Sequence, residues 1–375
     1  MNTVPLKEVA DIERQGVSPE QISSGTNYLG LEHIESGGRI CGSQVVEAGE
    51  LASTKFRFDR NHVLFGKLRP YLAKIAMPDF DGVCSTDILP IRPGPDLDKR
   101  YLTYFLRQPS IVDLAASRST GANLPRLSPK ALGEMGIPWR PLPEQERIAA
   151  ILDQADALRR LRSQSLARLS ELGQAIFVEM FGSPAENPYQ FKRASLGEII
   201  QFKGGSQPPK STFTYEEAPG RVRLVQIRDF RTDKYKTYVP AELAKRPFTE
   251  KDVMVGRYGP PVFQIFRGLS GTYNVALMKA KPVEGITEDF VFYLLQEPNL
   301  HGHIVANSER TAGQSGVNLE LLEKYPAYFP PKDRLSAFSE RLSLVDKMTA
   351  DFERALREAD ALFSSLQSRA FRGEL

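Results

Sequence analysis

Residues 143–182, PEQERIAAILDQADALRRLRSQSLARLSELGQAIFVEMFG, decide the fold predicted for this chain. No proline follows Pro143 in this stretch, and apolar residues recur every three or four positions, at Ile148, Ile151, Ala155, Leu158, Leu169, Leu172 and Ile176. This spacing is typical of a heptad seam on one α-helix, and it breaks at Arg162 and Ser165. Roughly 35 helical residues would make a rod about 50 Å long. We expect a partner helix to cover its apolar stripe.

The end of the chain supplies that partner. No proline follows Pro331, and the same spacing recurs at Leu335, Phe338, Leu342, Val345, Phe352, Leu356, Ala359, Phe363 and Leu366, with Thr349 as the polar exception. The helix starts also match, because residues 143–148, PEQERI, align with residues 330–335, PPKDRL, at an offset of 187. The two helices are predicted to pair antiparallel.

Other motifs repeat at nearly the same distance. Residues 62–67, HVLFGK, align with residues 252–257, DVMVGR, at an offset of 190, and residues 103–109, TYFLRQP, align with residues 292–298, FYLLQEP, at an offset of 189. Across these and other landmarks the offset stays between 187 and 192. The chain is therefore predicted to be an internal tandem repeat.

The segments outside the long helices are predicted to be small globules. In residues 1–142, short apolar runs bounded by turn residues predict strands at residues 28–34, 45–51, 61–65, 72–76 and 85–92, and a helix over residues 98–117 that Pro109 splits. The predicted fold class is α+β, with two similar globular domains separated by two long antiparallel coiled-coil helices. The predicted segments are the first globule (1–142), the first long helix (143–182), the second globule (183–330) and the second long helix (331–375).

Composition excludes some classes of protein. The chain has 375 residues, 41% hydrophobic and 25% charged, which is ordinary for a globular protein of two or three domains. Cys41 and Cys84 have no paired spacing, so we expect small buried side chains in a reduced compartment. No run approaches the roughly 18 apolar residues of a membrane helix, and the N-terminus does not resemble a signal peptide, so a cytoplasmic location and no membrane partner are expected.

The net charge of +3 is too small to indicate a polyanionic partner, but charge is concentrated locally. Residues 203–236 contain eight basic and four acidic residues, interleaved with Phe213, Tyr215, Phe230 and Tyr235. Lysine and arginine neutralise phosphates, and Arg, Asn and Gln pair with base edges. The charge pattern alone also fits an ordinary solvated surface with aromatic residues in the core.

Two polar, glycine-containing loops at corresponding places, residues 117–123 and 309–318, favour DNA more strongly because they offer hydroxyls, amides and arginines together. The alternative is that they are ordinary connectors. The candidate DNA-binding residues are Arg57, Lys67, Arg69, Arg118, Ser119, Thr120, Asn123, Arg126, Lys210, Arg228, Arg257, Tyr258, Arg310, Thr311, Gln314 and Asn318. If each globule reads duplex DNA, a gap near 50 Å would set two half-sites about one and a half turns apart, given ~34 Å per turn.

No reaction centre is predicted. Residues 187–190, NPYQ, lack the second proline of the catalytic Asn-Pro-Pro-Tyr motif of DNA amino-methyltransferases and follow no glycine-rich cofactor loop. Residues 205–211, GSQPPKS, have Pro209 where a phosphate loop needs glycine. His301 and His303 lack further ligands at metal-binding spacing, so surface histidines are expected and no metal site is assigned.

In combination, several motifs make the chain resemble the DNA-specificity subunit of type I restriction-modification systems. They are Ile137-Pro138 leading into residues 141–148, PLPEQERI; residues 177–182, FVEMFG; and the terminus at residues 369–375, RAFRGEL. The resemblance extends over the whole chain, including the repeat. It implies two target-recognition domains, each reading half of a bipartite DNA site.

The resemblance also implies partners. The helical pair would set the spacer and dock two copies of the modification subunit, an adenine N6 methyltransferase that uses S-adenosylmethionine. An ATP-driven motor-nuclease subunit, with Mg, would join for cleavage in phage defence, while this chain would hold no cofactor and catalyse nothing. Docking is assigned to the helix-seam residues Ile148, Ile151, Leu158, Leu169, Leu172, Leu335, Phe338, Leu342, Val345, Phe352, Leu356 and Phe363. Because Lys332 and Asp333 replace Gln145 and Glu146 in the repeat, the two dockings are expected to differ in strength.

Two other classes of function stay open at the level of sequence. A non-catalytic coiled-coil scaffold would bind proteins through its globules and would enrich no motif from a random duplex pool. A stand-alone nuclease or methyltransferase would act without partners, and the missing cofactor loop disfavours it.

Overall fold

The computed structural model of the chain describes residues 2–259, 261–311 and 314–375; the side chains of residues 309–311, 314 and 315 lie outside that description. Contacts group the chain into unit 1, made of residues 1–163 and 354–375, and unit 2, made of residues 164–353. Each unit therefore contains one end of each long helix. The predicted segments 1–142, 143–182, 183–330 and 331–375 are a division along the sequence, and they stay a prediction.

Unit 1 is a mixed α/β structure. Its strands are β1 (Thr3–Pro5), β2 (Ala10–Ile12), β3 (Gly16–Val17), β4 (Thr26–Leu29), β5 (Gln44–Val46), β6 (Lys55–Phe58), β7 (Val63–Gly66), β8 (Ile75–Ala76), β9 (Gly82–Cys84), β10 (Ile88–Pro93) and β11 (Gly136–Pro138). Its helices are α1 (Leu6–Val9), α2 (Lys99–Leu106), α3 (Pro109–Ser117), α4 (Pro129–Gly133), the first part of α5 (Leu142–Phe181) and the last part of α10 (Lys332–Arg372). The predicted split at Pro109 is confirmed, because Gln108 takes an extended conformation before the proline ring.

The strands of unit 1 form an antiparallel sheet in the order β2-β10-β7-β8, a sheet in the order β3-β6-β9-β4-β5, and the pair β1-β11. In the second sheet, β4 and β9 run parallel. The predicted strands overlap observed ones, but the prediction for residues 72–76 is wrong at its start. Residues 70–72 form a 3-10 turn between Arg69 and Ala73, which both have left-handed backbones, so the strand begins only at Ile75.

Unit 2 is also mixed α/β. Its strands are β12 (Lys192–Ser195), β13 (Ile200–Gly204), β14 (Arg221–Val225), β15 (Tyr238–Pro240), β16 (Pro247–Phe248), β17 (Val253–Gly256), β18 (Ile265–Phe266), β19 (Gly271–Tyr273), β20 (Leu277–Pro282), β21 (Glu309–Thr311), β22 (Gln314–Gly316) and β23 (Pro326–Phe329). Its helices are α6 (Leu196–Ile199), α7 (Glu288–Leu294), α8 (Pro298–Ala306), α9 (Leu319–Lys324) and parts of α5 and α10 (Lys332–Arg372).

The sheets of unit 2 have the orders β13-β20-β17-β18 and β15-β14-β19-β16, with the pairs β12-β23 and β21-β22. Strands β14 and β19 run parallel, as β4 and β9 do in unit 1. Position by position, the orders β13-β20-β17-β18 and β2-β10-β7-β8 correspond, and β15-β14-β19-β16 corresponds to β5-β4-β9-β6.

The long helices pair antiparallel within each unit. In unit 1, Arg159 forms an ion pair with Asp360 at 2.6 Å, and the Nη2 atom of Arg147 donates to the carbonyl of Leu375 at 3.0 Å. In unit 2, the Nη1 atom of Arg334 donates to the carbonyl of Met180 at 2.8 Å. Arg147 and Arg334 therefore occupy corresponding places near the two helix starts. Arg334 binds a carbonyl in the last turn of α5, where a cation is favoured, and Arg147 binds the carbonyl of Leu375, three residues after the end of α10.

Both long helices end at a glycine. Gly182 and Gly373 have φ of 67° and 83°, the left-handed conformation that ends helices at little steric cost in glycine. Just before each glycine, a phenylalanine enters the core of its unit. Phe181 contacts Phe290 and Phe338 with ring centroids 5.0 and 5.1 Å away.

The buried helix faces are wider than one heptad seam, because α5 packs against its globule as well as against α10. In unit 1 the fully buried positions include Ala149 and Leu152, while Ile151 is only half-buried. Among the predicted docking residues, Ile148, Leu169, Leu335, Phe338, Leu342 and Val345 are buried, Ile151, Phe352, Leu356 and Phe363 are half-buried, and Leu158 and Leu172 are exposed at 39% and 38%.

Candidate nucleic-acid interface

A cluster of polar residues lies where strand β7 of unit 1 ends. The N–H of Lys67 donates to the carbonyl of Asp87 at 2.9 Å, and the carbonyl of Lys67 accepts from the N–H of Leu127 at 2.9 Å. The loop closes on itself, because Thr120 and Arg126 exchange backbone hydrogen bonds of 3.0 and 2.9 Å. We call Lys67, Arg69, Asp87, Thr120 and Arg126 the unit-1 strand-end cluster.

Arg126 has the best-defined side chain of this cluster. Its Nε atom donates to Oδ1 of Asp87 at 2.9 Å, and its Nη2 atom donates to Oδ2 at 3.2 Å. The arginine side chain is 44% exposed and the aspartate 24%. A two-point pair of this kind fixes the plane of the guanidinium while leaving part of it open to solvent.

Arg69 is fixed through its backbone. Its φ of 51° and ψ of 61° are left-handed, which is uncommon for a residue other than glycine. Pro70 disfavours the right-handed alternative at this position, and the N–H of Arg69 donates to the carbonyl of Pro125 at 2.8 Å. The exposed Arg69 is thereby held beside the segment that carries Arg126.

Three further predicted residues lie in the same loop. Arg118 follows the last turn of α3, and both Arg118 and Asn123 are exposed. Ser119 donates its hydroxyl to the carbonyl of Ala115 at 2.8 Å, so this hydroxyl helps to end α3. The structure therefore brings the predicted residues Lys67, Arg69, Arg118, Ser119, Thr120, Asn123 and Arg126 into one strand end and its adjoining loop.

Unit 2 has the same backbone arrangement where β17 ends. The N–H of Arg257 donates to the carbonyl of Ala276 at 2.9 Å, and its carbonyl accepts from Val317 at 3.0 Å. Tyr258 and Gly316 form an isolated bridge, as Leu68 and Arg126 do in unit 1. We call Arg257, Tyr258, Ala276, Gly316 and Val317 the unit-2 strand-end cluster.

Side chains distinguish the two clusters. A Cβ atom on Gly316 would lie 3.3 Å from the ring of Tyr258, so the glycine allows the ring to lie close to the backbone. The guanidinium of Arg257 lies 5.2 Å from the centre of that ring, a cation–π distance. Unit 2 thus has an aromatic–cation pair at this place, where unit 1 has an ion pair.

The hairpin β21-β22 leads into the unit-2 cluster. The backbones of Arg310, Thr311 and Gln314 belong to it, and their side chains lie outside the part of the chain that the structure describes. The side chain of Asn318 accepts from the N–H of Leu321 at 3.1 Å and caps α9. Asn318 is therefore placed next to the cluster by a helix start.

A second surface of unit 2 combines cations with an exposed aromatic ring. Arg228 and Lys234 each lie 5.4 Å from the ring centre of Tyr235, which is 48% exposed. Phe230, from the same basic stretch, instead stacks on Phe266 at 4.4 Å and is half-buried. Of these two aromatic residues, Tyr235 remains available to a ligand.

Arg57 and Lys210 belong to structural elements other than the strand ends and their loops. Lys210 is exposed at the start of a 3-10 turn. Arg57 is exposed on β6 and, with Asn27 and Asp81, lines a cavity of about 470 Å³ in unit 1.

The wall of this cavity contains a network of ionisable side chains. Nε2 of His62 lies 2.9 Å from Glu13, and its Nδ1 lies 3.0 Å from Oδ1 of Asp59. Arg92 donates to Glu13 at 2.5 Å and to Asp59 at 2.8 Å. Hydrogen bonding from Arg92 lowers the pKa of Glu13; at Asp59 burial opposes that effect, but the bonds from Arg92 and from the N–H of Asn61 lower the pKa overall.

Unit 2 contains a carboxylate whose pKa is raised and not lowered. Asp229 is almost fully buried, and burial raises its pKa. Its Oδ2 accepts from the N–H of Gln226 at 2.7 Å, whereas Oδ1 has no hydrogen-bond partner among the described residues. An unsatisfied buried oxygen disfavours the ionised form.

Other motifs have structural surroundings. Asn187 has a left-handed backbone and a nearly buried side chain that exchanges hydrogen bonds with the backbone of Phe191 at 2.8 and 2.9 Å. His301 and His303 lie beside Phe263 and Tyr325. Cys84 is buried, but the expectation for Cys41 is wrong because it is exposed.

Within the described residues, no group of three or more His, Cys, Asp and Glu side chains is placed to hold a metal ion. Searching that same part of the chain for a long, apolar helix able to span a bilayer finds none.

Part of the chain is similar to known proteins. A family model described as "Type I restriction modification DNA specificity domain" matches residues 1–171. The EcoDI specificity subunit of Escherichia coli is 32% identical over 192 residues, which cover 48% of this chain and 43% of the relative. The EcoKI specificity subunit of Escherichia coli (strain K12) is 20% identical over 318 residues, which cover 76% and 67%. Residues 1–171 are therefore similar to the DNA specificity domain of type I restriction-modification systems.

A solved chain has a similar fold. That chain comes from a study of complex assembly and conformational transition in a type I R-M system, and it aligns over 100% of this chain and 98% of its own length. The TM-score is 0.62 at 21% identity, so the likeness concerns the fold. The first curated relative is matched over less than half of its length.

Sequence reasoning missed one residue of the unit-1 strand-end cluster, Asp87. It lies in the turn before β10, and its carboxylate holds the guanidinium of Arg126. A count of cations gives no reason to select an acidic residue 39 positions away. The sequence analysis placed Asp87 inside the predicted strand 85–92, whereas β10 begins only at Ile88.

Proposed function

We propose that this chain is the specificity subunit of a type I restriction-modification system and reads a bipartite double-stranded DNA site, with one half-site bound by each unit. On this proposal the chain is an internal repeat of two target-recognition domains. The long helices fix the spacing of the half-sites and dock two copies of a modification subunit.

One observation carries the proposal: the same backbone frame occurs at the end of β7 and at the end of β17. In each, a basic residue, Lys67 or Arg257, is clamped between two segments by hydrogen bonds of 2.9 to 3.0 Å. Loops with different polar side chains surround the two frames. Equal frames with unequal side chains suit the reading of two different short sequences.

The helices support the proposal on spacing. Residues of α5 belong to both cores, with Ile148, Ala149 and Leu152 in unit 1 and Phe177 and Phe181 in unit 2. Residues of α10 do the same, with Phe371 in unit 1 and Phe338 in unit 2. Covalently continuous helices anchored in both cores would keep the spacer constant.

Partner docking is proposed for exposed apolar residues of the helix pair. In unit 2, Leu169, Leu172, Ala175, Met348 and Phe352 line a groove of about 450 Å³. In unit 1, Leu158, Leu161 and Leu362 are exposed on the same helices. Exposed apolar surface of this kind is typical of protein–protein contacts.

We propose that the chemistry belongs to the partners. Methyl transfer from S-adenosylmethionine would occur on the modification subunit, and ATP- and Mg-dependent cleavage on a motor-nuclease subunit. This chain would then supply sequence choice and geometry and no cofactor site.

The full-length chain, assembled with the modification subunit, should select a bipartite motif from a random duplex pool. Inserting three base pairs into the unread spacer should lower affinity to the non-specific level, because the second half-site is displaced and rotated on the duplex. A selection that enriches no motif would favour the protein-binding scaffold. Equal binding at every spacer length would exclude the fixed spacing.

Docking has a separate test. Leu172→Glu places a charge on the unit-2 groove and should weaken co-purification of the modification subunit, while Leu319→Glu, at an exposed leucine at the start of α9, serves as the control. Equal co-purification of both variants would exclude the groove as the docking site.

A further inference from the structure

Arg126 is held so that one edge of its guanidinium is taken and another is turned outward. Asp87 accepts from Nε at 2.9 Å and from Nη2 at 3.2 Å, so the carboxylate covers the Nε–Nη2 edge. The guanidinium is planar and rigid, with five N–H donors. The Nη1–Nη2 edge therefore faces away from Asp87 and keeps two parallel donors.

The backbone below this side chain is also fixed. Arg126 exchanges two hydrogen bonds with Thr120, and it forms an isolated bridge with Leu68 directly after β7. Asp87 is tied to the same place, because its carbonyl accepts from the N–H of Lys67. Donor and support therefore belong to one hydrogen-bonded frame, and little side-chain freedom is lost on binding.

Two parallel N–H donors match one base edge in the major groove. Guanine presents N7 and O6 as adjacent acceptors, whereas adenine presents an acceptor beside an amino donor. A bidentate arginine contact with N7 and O6 therefore selects guanine over adenine. A carboxylate on the opposite edge would hold the arginine in register for this contact.

Unit 2 has no arginine–aspartate pair at the matching backbone positions. Gly316 takes the place of Arg126 in the bridge, and Ala276 takes the place of Asp87 as the acceptor for the strand-end N–H. The two units would therefore differ in the base that this position can read.

We propose that Arg126, positioned by Asp87, reads one guanine in the half-site bound by unit 1. The inference rests on the proposed function and adds a base identity to it. Asp87 acts through Arg126 and is a positioning residue.

The test uses the full-length chain assembled with the modification subunit, on duplexes carrying the motif that the wild-type chain selects. Each guanine of the half-site is replaced in turn by adenine and by 7-deazaguanine, which lacks the N7 acceptor. Affinity is measured for the wild-type chain, Arg126→Gln, Arg126→Lys and Asp87→Asn. Arg39→Gln is the matched control, because Arg39 pairs with Glu35 through Nε at 2.7 Å and Nη2 at 2.8 Å outside the strand-end cluster.

At one guanine, both base replacements should weaken the wild-type complex, with roughly a 5- to 150-fold loss for adenine. Arg126→Gln should lose the preference for guanine over adenine at that position, because glutamine can pair with adenine N6 and N7, and should keep its preference at the other positions. Asp87→Asn should lose part of the preference for guanine at that position. Arg126→Lys should keep most of the overall affinity for DNA but lose more of the preference for guanine. Arg39→Gln should match the wild-type chain in both quantities.

The contrary results are distinct. A uniform loss of affinity across all sequences would assign Arg126 to phosphate or to loop stability, and thermal unfolding of the variants separates those two roles. An unchanged preference in Arg126→Gln would also overturn the proposal. If the wild-type chain selects no motif at all, the proposed function itself fails.

Discussion

Units 1 and 2 share strand orders and strand-end backbones but differ in the polar groups attached to them. Unit 1 has the Arg126–Asp87 ion pair and the network of His62 and its neighbours, whereas unit 2 has Tyr258 close to Gly316 and a nearly buried Asp229. The backbone hydrogen bonds that hold Lys67 and Arg257 are the same to within 0.1 Å. The frame is therefore independent of the side chains that would give specificity.

The helix starts differ in the same way. Gln145 is fully buried at the start of α5, where its Oε1 accepts from Asp98 N–H at 3.0 Å and its Nε2 donates to the carbonyls of Asp96 and Arg140 at 2.9 and 2.7 Å. Lys332, at the corresponding place on α10, is exposed. The difference that the sequence shows here concerns how a helix is anchored to its own unit.

The largest expected effect removes an aromatic side chain from one core. Phe181→Ala should destabilise unit 2 by about 3–5 kcal/mol, because Phe181 is fully buried among Phe177, Phe290 and Phe338. Hydrogen exchange read by mass spectrometry should show lost protection in the peptides of α6 and α7.

The matched variant is Phe371→Ala in unit 1. Phe371 lies at the equivalent helix end, is 6% exposed and contacts Tyr101 and Phe105 at 4.9 and 5.8 Å. Phe371→Ala should lower the stability of unit 1 somewhat less than Phe181→Ala lowers that of unit 2. The loss of protection from hydrogen exchange should appear in the peptides of α1 and α2. Identical exchange patterns in both variants would mean that the units unfold together.

Gln145→Leu comes next. It leaves the N–H of Asp98 and the carbonyls of Asp96 and Arg140 without their partner, which should cost unit 1 about 2–4 kcal/mol. Urea unfolding followed by circular dichroism measures the effect. Lys332→Leu should change stability by less than about 0.5 kcal/mol, and a similar loss in both variants would contradict the contrast between the helix starts.

Periodicity allowed the long helices to be predicted closely, because forty residues with one apolar stripe outweigh local exceptions. Residues 143–182 and 331–375 were predicted, and α5 and α10 span Leu142–Phe181 and Lys332–Arg372. The buried face was predicted less well. Leu152 was missed and Leu158 was placed in the seam, because a heptad pattern assumes a single partner helix while α5 also packs on α2 and its neighbours.

The candidate site was predictable where it depends on the repeat. Lys67 and Arg257 align at an offset of 190, and both hold the same backbone position. Arg57 was selected by its charge, but it lies on β6 and lines the cavity of unit 1, outside the strand-end cluster. Asp87 could not be selected, because its relation to Arg126 arises only when two loops meet beside β7.

A pH comparison has a smaller expected effect. Arg92→Met should destabilise unit 1 by about 1–2 kcal/mol at pH 7, because hydrogen bonds to Glu13 and Asp59 are lost at a partly exposed site. Both carboxyls have a lowered pKa in the folded chain, so their contribution is present above the unfolded values near 4 and is lost as pH falls through the folded values. The destabilisation should shrink between about pH 5 and pH 2.

Asp229→Asn in unit 2 tests the opposite sign. A raised folded pKa favours folding below the unfolded value, and that advantage disappears as pH rises through the folded value. The variant should therefore be neutral or slightly stabilising at pH 7, because asparagine can still accept from Gln226. Urea unfolding at pH 7 and pH 3.5 measures the stability of Arg92→Met and Asp229→Asn. A loss of stability in Asp229→Asn at pH 7 would contradict the argument that burial disfavours the ionised form of Asp229.

The smallest expected effect concerns the exposed ring of Tyr235. Tyr235→Leu removes cation–π contacts with Arg228 and Lys234, each worth about 0.5–1 kcal/mol at exposed sites. On the proposed function, it loosens two cations that unit 2 would offer to phosphates. DNA affinity should fall by only a few fold and equally for all sequences, because phosphate contacts carry no base identity. Titration with the selected duplex and with a scrambled duplex measures both quantities. A loss confined to the selected duplex would instead place Tyr235 against a base, and the surface of unit 2 that reads DNA would then extend beyond the end of β17.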